Sequence, residues 1–218
     1  MSDASAAPIA LMGGTFDPVH NGHLRAAWEA SAWLGARVRL MPANVPPHRP
    51  QPQAPAAARA AMLRLALHGQ ERLVVDDREL RRDSPSFTVD TLRELRAEVG
   101  ARHPLVLLVG EDAFAGLASW REWRELFALT HFGVMTRPGH EPAWPGELQA
   151  EVAGRECALD GDWRSAPAGF VLRLDVTALE ISATAIRQQL AVGEEPRYLV
   201  PEAVLAAIRA EGWYTRRA

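Results

Sequence analysis

Short apolar runs alternate with helical patterns along this chain, and that alternation restricts the fold more than any other feature. The first run, 9–13, ends in two glycines, and in the next segment, 22–34, apolar residues recur at helical spacing before Gly35 ends the pattern. Further strand-like runs lie at 38–41, 73–75, 105–110, 132–135 and 170–174, and helical segments separate most of them; the stretch 138–167 between the last two is the least predictable. Such alternation predicts βαβ units and therefore an α/β fold, a doubly wound parallel sheet covered by helices on both faces.

The composition of the chain argues against several classes of partner and excludes some types of catalytic chemistry. The 218 residues carry a net charge of −3, which favours neither a nucleic-acid nor a membrane partner. All 24 basic residues are arginine, so lysine Schiff bases and lysine-dependent phosphate loops are excluded. Cys157 is the single cysteine, and the first residues lack the pattern of a signal peptide; together these features predict a cytoplasmic protein. The alternating charges at 78–82 predict a solvated face.

The most informative motif is GGTFDPVHNGHL at 13–24, where the first strand gives way to the first helix. Gly13 and Gly14 would let a ligand approach the backbone closely. His20 and His23 flank the helix start, whose free N–H groups and partial positive charge attract anions. The motif therefore indicates a site for nucleotide phosphates. Two histidines at this spacing can also be surface residues or a metal pair, but the preceding Gly-Gly-Thr favours phosphate.

A second helix start lies near the carboxyl end, in ISATAIR at 181–187. Ser182 is a good N-cap, Thr184 falls in the first turn, and Arg187 follows on the same helix face. Hydroxyls and a guanidinium at a helix start suit a phosphate group. Capped helices with an arginine are common, so this motif is specific only in combination with the first one. Both helix starts must then meet at one triphosphate.

Together the two motifs resemble those of the HxGH nucleotidyltransferase superfamily, and the whole chain is similar to bacterial nicotinate-nucleotide adenylyltransferases. The similar stretches run from residue 11 to about residue 214 and include NVPPHRPQP at 44–52, DDRELRR at 76–82, SPSFTVDTL at 84–92, LVGEDAF at 108–114, SWREW at 119–123 and TRPG at 136–139. The resemblance implies a Rossmann-like sheet of the nucleotidyltransferase type in one domain, 1–218. Its core would span about 8–136 and 169–214, and a variable, solvent-exposed insertion would span about 138–168.

The resemblance also implies a reaction. ATP and nicotinate mononucleotide would give nicotinate adenine dinucleotide and pyrophosphate, with Mg²⁺ bound to phosphates and water rather than to a residue-built metal site. The alternatives are adenylyl transfer to nicotinamide mononucleotide or phosphopantetheine, or a non-catalytic sensor that binds nucleotide without turnover. The oligomeric state is open, and a homo-oligomer is among the alternatives.

By the same resemblance, the ATP phosphates would lie against Gly13, Gly14, Thr15, His20, His23, Ser182, Thr184 and Arg187. The catalytic group would consist of His20, His23 and Arg187. Arg187 would complete this set of phosphate-binding groups, because a guanidinium can donate two parallel hydrogen bonds to phosphate oxygens.

The residues expected to bind the acceptor are supported by weaker patterns. Thr88 and Trp120 match the positions that hold the nicotinate ring, although Trp120 is equally expected as a core anchor. His48 would reach the acceptor phosphate, with a solvated loop as the alternative. Asp112 follows an apolar strand and would bind ribose hydroxyls unless it caps a helix. Arg137 would touch the acceptor phosphate or pair on the surface.

Overall fold

Six parallel strands form one sheet in the computed structural model, which describes residues 7–44, 51–82, 85–136, 139 and 143–215. The strands are β1 Ile9–Gly14, β2 Arg37–Pro42, β3 Leu73–Val75, β4 Leu105–Gly110, β5 His131–Thr136 and β6 Val171–Asp175. Their order is β3-β2-β1-β4-β5-β6, and every neighbouring pair is parallel. This is the doubly wound order that reverses direction between β1 and β4. The predicted α/β fold is confirmed.

Helices cover both faces of the sheet. They are α1 Asn21–Leu34, α2 Ala56–Ala66, α3 Thr88–Val99, α4 Glu111–Ala115, α5 Trp123–Leu129, α6 Gly146–Val152, α7 Ala183–Ala191 and α8 Glu202–Glu211, with short 3₁₀ turns at Arg78–Arg81, Leu117–Ser119 and Asp162–Ser165. None of the helices within the described ranges is long and apolar enough to cross a lipid bilayer.

The sheet has a hydrophobic core on each face, and the side chains of β1 and β4 enter both cores because they alternate between the two faces. On β1, Ala10 and Met12 pack with α1, α2, α7 and α8, whereas Leu11 packs with α3 to α6 on the opposite face. On β4, Val106 belongs to the first core and Leu107 to the second. Burial on both faces is why these strands are continuous apolar runs in the sequence.

The reversal in strand order positions the functional site. The chain leaves β1 at Gly14 towards α1 on one face, and it leaves β4 at Gly110 towards α4 on the other. The two connections diverge and open a crevice at the carboxyl edge of the sheet, which is where doubly wound proteins bind their ligands.

Two residues that often mark a helix start, the serine Ser86 before α3 and the proline Pro201 before α8, do not occupy those positions here. The N-cap position of α3 is Phe87, whose side chain makes no capping bond. Pro201 precedes the first residue of α8 instead of occupying it. In both cases the helix begins one or two residues later than its sequence signal suggests, the usual uncertainty of helix ends.

The segment before β6 was expected to be solvent-exposed, and about half of its described residues are, but three apolar side chains are buried. Trp163 is fully buried in the first core, while Leu148 and Val152 of α6 are buried in the second. Sequence reasoning missed them because glycines, prolines and acidic residues surround them and the apolar pattern of α6 consists of two residues four positions apart.

Candidate active site

The turn after β1 is shaped by a buried phenylalanine. Phe16 is 1% exposed and has a left-handed backbone, with φ of 49°. Its ring lies beneath Gly14, where an added Cβ would come within 2.9 Å of the ring, so only glycine fits there. The same ring meets the His23 imidazole edge-on at a centroid distance of 5.0 Å. Phe16 therefore fixes both the glycine turn and one histidine of the motif, at the cost of a strained backbone.

His20 and His23 cap the start of α1 reciprocally. The Nδ1 atom of His20 accepts from the backbone N–H of His23 at 3.4 Å, and the Nδ1 atom of His23 accepts from the backbone N–H of His20 at 3.3 Å. The two rings are stacked with centroids 3.6 Å apart. Because each Nδ1 is an acceptor, the proton of each neutral ring lies on Nε2. The pair thus offers two Nε2–H donors.

Burial keeps His20 uncharged. The residue is 6% exposed, and this burial lowers the pKa of His20 to about 4. At neutral pH it therefore acts as a dipolar hydrogen-bond donor and not as a cation. Gly22 leaves room for this ring, since a Cβ there would lie 3.0 Å from the Nδ1 atom of His20.

The second helix start, at α7, carries the hydroxyls and guanidinium that the sequence predicts. Ser182 caps the helix by accepting from the backbone N–H of Ala185 at 3.5 Å. Arg187 donates through Nη2 to the Oγ1 atom of Thr184 at 3.2 Å and through Nη1 to the backbone oxygen of Asp17 at 2.7 Å. The second bond joins α7 directly to the β1–α1 turn. The Nε atom of Arg187 is buried, and within the described part of the chain it has no hydrogen-bond partner.

Both helix starts border one cleft at the carboxyl edge of the sheet. Its volume is about 1180 Å³, above the usual range of about 300–1000 Å³ for a site that holds one small molecule. Of the residues expected to bind ligands, the cleft is lined by Gly13, Gly14, Thr15, His23, Thr88, Asp112, Trp120, Thr184 and Arg187. His20, stacked on His23, and Ser182, the N-cap of α7, are not among the described residues that line the cleft. The arrangement can hold a long phosphorylated ligand between two sets of N–H donors.

The far end of the cleft contains the residues predicted for the acceptor. Thr88 is the first residue of α3, and Asp112 lies in the first turn of α4, whose N-cap is Gly110. Asp112 therefore does not cap that helix. Trp120 lines the cleft and also packs against the second core, so its position is compatible with both expectations for it. His48 and Arg137 lie outside the described residues.

Sequence reasoning missed two buried charged residues that support the cleft. Arg59 of α2 is 1% exposed and donates to the backbone oxygens of Thr15 at 2.8 Å, Ala43 at 2.7 Å and Ala54 at 3.3 Å. Asp17, which is 4% exposed, accepts from the N–H of Ala54 at 3.0 Å. Ala54 is thus held at its carbonyl oxygen by Arg59 and at its N–H by Asp17, and both bonds tie it to the turn after β1. The sequence feature that could have identified Arg59 is the presence of an arginine within an alanine-rich helical segment.

Glu79 was also missed, because it stands among charges expected on a solvated face. The residue is 7% exposed, lines the cleft and accepts from the hydroxyl of Thr91 at 2.7 Å. Burial raises the pKa of Glu79 above its ordinary value. Ser86 also bonds this carboxyl and accepts from the N–H of Asn44 at 3.3 Å. Glu79 thus fixes the entry into α3 beside the predicted ring site.

A cleft between two helix starts, at the reversal point of a doubly wound sheet, is typical of a nucleotide-binding site. Residues 11–189 match the family described as cytidylyltransferase-like. A relative from Pseudomonas putida, described as "Probable nicotinate-nucleotide adenylyltransferase", is 49% identical over 98% of each chain. One of the same description from Marinobacter nauticus is 47% identical over 95% of this chain and 96% of the relative. The chain belongs to the nicotinate-nucleotide adenylyltransferase family.

Solved structures agree on the fold. Plasmodium falciparum nicotinic acid mononucleotide adenylyltransferase complexed with NaAD superposes with a TM-score of 0.69. The two proteins are 14% identical, and the match covers 95% of this chain and 97% of the other. A structure described as a putative nicotinate-nucleotide adenylyltransferase from Vibrio parahaemolyticus has a TM-score of 0.62 at 15% identity, covering 92% of this chain and 98% of that one.

Proposed function

We propose that the protein transfers the adenylyl group of ATP to nicotinate mononucleotide, forming nicotinate adenine dinucleotide and releasing pyrophosphate, a step of NAD biosynthesis. One observation carries the proposal: the two helix starts meet at a single cleft, with Arg187 of α7 bonded at 2.7 Å to the backbone of Asp17 beside the histidine motif. A triphosphate laid between them would contact both sets of donors.

The reaction needs positioning and charge stabilisation more than an activated side chain. An oxygen of the acceptor 5′-phosphate attacks the α-phosphorus of ATP, and the new P–O bond forms as the bond to the β-phosphate oxygen breaks. The bonding electrons leave with pyrophosphate. Because the attacking phosphate is already ionised, no general base is required. The Nε2–H groups of His20 and His23 and the N–H groups of Arg187 would donate to oxygens that gain charge during transfer.

The phosphate roles follow the position of each residue. Gly13, Gly14 and Thr15 would border the triphosphate, since side chains there are absent or small. Thr184 and Ser182 would offer hydroxyls at the start of α7. His23, which lines the cleft, would lie nearest the transferring group.

We assign Mg²⁺ to the phosphates of the nucleotide, on the chemistry of the donors at the two helix starts. The donors identified at the two helix starts are N–H and O–H groups, which suit phosphate oxygens. Mg²⁺ would arrive on phosphate oxygens and water, ligands that this small cation favours, and would neutralise phosphate charge when bound.

The start of α3 favours an acidic ring substituent over an amide. The side chain at its N-cap, Phe87, makes no capping bond, and Thr88, at the first position of the helix, lines the cleft. The free N–H groups and partial charge of a helix start stabilise a carboxylate. Trp120 would stack on the ring, and Asp112 would accept from ribose hydroxyls. His48 and Arg137 remain the proposed ligands of the acceptor phosphate.

Pyrophosphate release with three acceptors tests the proposal. The purified protein with ATP and Mg²⁺ should give the highest kcat/KM with nicotinate mononucleotide, a lower value with nicotinamide mononucleotide and none with phosphopantetheine. A His23→Ala preparation purified in parallel controls for contaminating enzymes. ATP binding without turnover on any acceptor would instead identify a nucleotide sensor.

A further inference from the structure

The carboxylate of Asp17 lies inside the protein and is held by three hydrogen bonds. Its Oδ2 atom accepts from the N–H of Gln53 at 2.8 Å, and its Oδ1 atom accepts from the N–H of Ala54 at 3.0 Å. The third donor is the hydroxyl of Tyr214, at 2.7 Å from Oδ1. These partners come from distant parts of the chain, so the orientation of this carboxylate is fixed by tertiary structure.

This carboxylate also lies beside the guanidinium proposed to bind the triphosphate. Arg187 Nη1 donates to the backbone oxygen of Asp17 at 2.7 Å, while the Oδ2 atom of the same residue is 4.0 Å from that nitrogen. A small rotation would bring the carboxylate into a close ion pair with Arg187. Such a pair would compete with phosphate oxygens for the same N–H donors. The three hydrogen bonds oppose that rotation.

Tyr214 is the partner that a side-chain change can remove cleanly. It is 9% exposed, packs in the first core and is not among the described residues that line the cleft. Burial and the neighbouring Asp17 raise the pKa of the Tyr214 hydroxyl well above its ordinary value, so the group remains a donor across the working pH range. Replacement by phenylalanine would keep the ring and remove only the bond to the carboxylate.

We propose that Tyr214 is a positioning residue that holds the Asp17 carboxylate away from Arg187 and so keeps the guanidinium available to ATP. The carboxyl-terminal segment thereby belongs to the scaffold of the phosphate site. The inference rests on the proposed use of ATP, but it concerns binding and not turnover. In a protein that binds ATP without transferring the adenylyl group, the effect of Tyr214 on ATP binding could still be measured.

A double-mutant cycle tests the inference. ATP with Mg²⁺ is titrated calorimetrically, without acceptor, into the wild type, Tyr214→Phe, Arg187→Ala and the double variant. We expect Tyr214→Phe to raise the Kd for ATP about tenfold, equivalent to about 1.4 kcal/mol. In the Arg187→Ala background the same change should alter the Kd by less than about twofold, since the residue through which it acts is gone. Tyr198→Phe, at a side chain 82% exposed, is the matched control and should leave the Kd unchanged.

Two outcomes would overturn the inference. An unchanged Kd in Tyr214→Phe would show that the carboxylate needs no third donor. An equal loss in both backgrounds would show that Tyr214 acts on the fold as a whole and not through Arg187. Thermal unfolding of all variants defines a temperature at which each is folded, and the titrations are carried out there.

Discussion

The glycine between the two histidines offers the sharpest test of the site, because one methyl group there separates activity from stability. In Gly22→Ala, the added Cβ would lie 3.0 Å from the Nδ1 atom and 3.1 Å from the Cε1 atom of His20. The helix backbone holds the methyl in place, so the ring must move by a few tenths of an ångström. Its bond to the N–H of His23 is already long, at 3.4 Å, and would be lost.

The size of the effect follows from that displacement. A misplacement of about 1 Å at a reacting centre costs about 10²-fold in rate, so a few tenths of an ångström should lower kcat about tenfold. The free energy of unfolding should stay within about 1 kcal/mol of the wild-type value. Alanine is favoured over glycine within helices by up to about 1 kcal/mol, and loss of the cap bond costs about as much.

Steady-state pyrophosphate release and urea denaturation measure the two quantities in one preparation. Gly146→Ala is the matched control, since Gly146 also begins a helix and an added Cβ there would meet nothing within 4 Å. It should leave kcat unchanged and stability equal or slightly higher. A Gly22→Ala enzyme with wild-type kcat would refute the view that the His20 ring must occupy its observed position.

Four further changes test other parts of the site. His23→Ala should lower kcat about 10²-fold or more without unfolding the protein, as loss of a charge-stabilising donor does; wild-type turnover by the folded variant would contradict this role. Arg187→Lys should weaken ATP binding about tenfold in calorimetry, because an ammonium cannot replace a two-pronged guanidinium, and an unchanged Kd would count against its role in phosphate binding. The pKa of His20 is lowered to about 4 in the folded protein. As the pH falls below about 6.5, this histidine therefore binds a proton in the unfolded chain but not in the folded one, and the unfolded state is favoured. Between pH 6.5 and 4 the free energy of unfolding should therefore fall by up to about 3 kcal/mol more in the wild type than in His20→Asn, and equal slopes in urea denaturation would refute it. Arg59→Met should lower the free energy of unfolding by at least about 3 kcal/mol in the same assay, because it leaves several buried carbonyl oxygens without a hydrogen-bond donor. Arg64→Met, on the exposed side of the same helix, should change stability by about 0.5 kcal/mol or less, and equal losses in the two variants would contradict the assigned role of the buried guanidinium.

Local chemistry explains what the sequence predicted well. Strand β4 occupies the predicted positions because six apolar residues ending in glycine allow few other structures. Gly35 ends α1 with the left-handed φ of 56° that glycine adopts readily. Ser182 caps α7 through a bond to a residue three positions away. Each of these signals involves a residue and its near neighbours only, so a single sequence contains it.

Residues whose partners are distant in sequence were predicted poorly. Arg78, expected on a solvated face, is 6% exposed because Asp76 and Glu98 each pair with it at 2.8 Å. The partners of Arg59 are backbone oxygens, which every residue carries and no sequence pattern marks. Tyr214 contacts a carboxylate 197 positions away. Charge alone predicts exposure, and only the folded chain reveals which charges have acquired buried partners.

Because His20 is neutral, the two helix starts contribute differently to ATP binding and to adenylyl transfer. A guanidinium is charged at every stage of the reaction, so Arg187 attracts the phosphates of bound ATP as well as the charge that develops during transfer. A neutral imidazole that donates one Nε2–H bond attracts the ground-state phosphates less strongly, and its bond strengthens as negative charge accumulates on the oxygen it contacts. Arg187 then contributes to both ATP affinity and transfer, while the histidines act mainly on the transition state. The two sets of residues therefore predict different kinetic signatures: variants at Arg187 should alter the Kd for ATP as well as kcat, and variants that displace the imidazoles should alter mainly kcat.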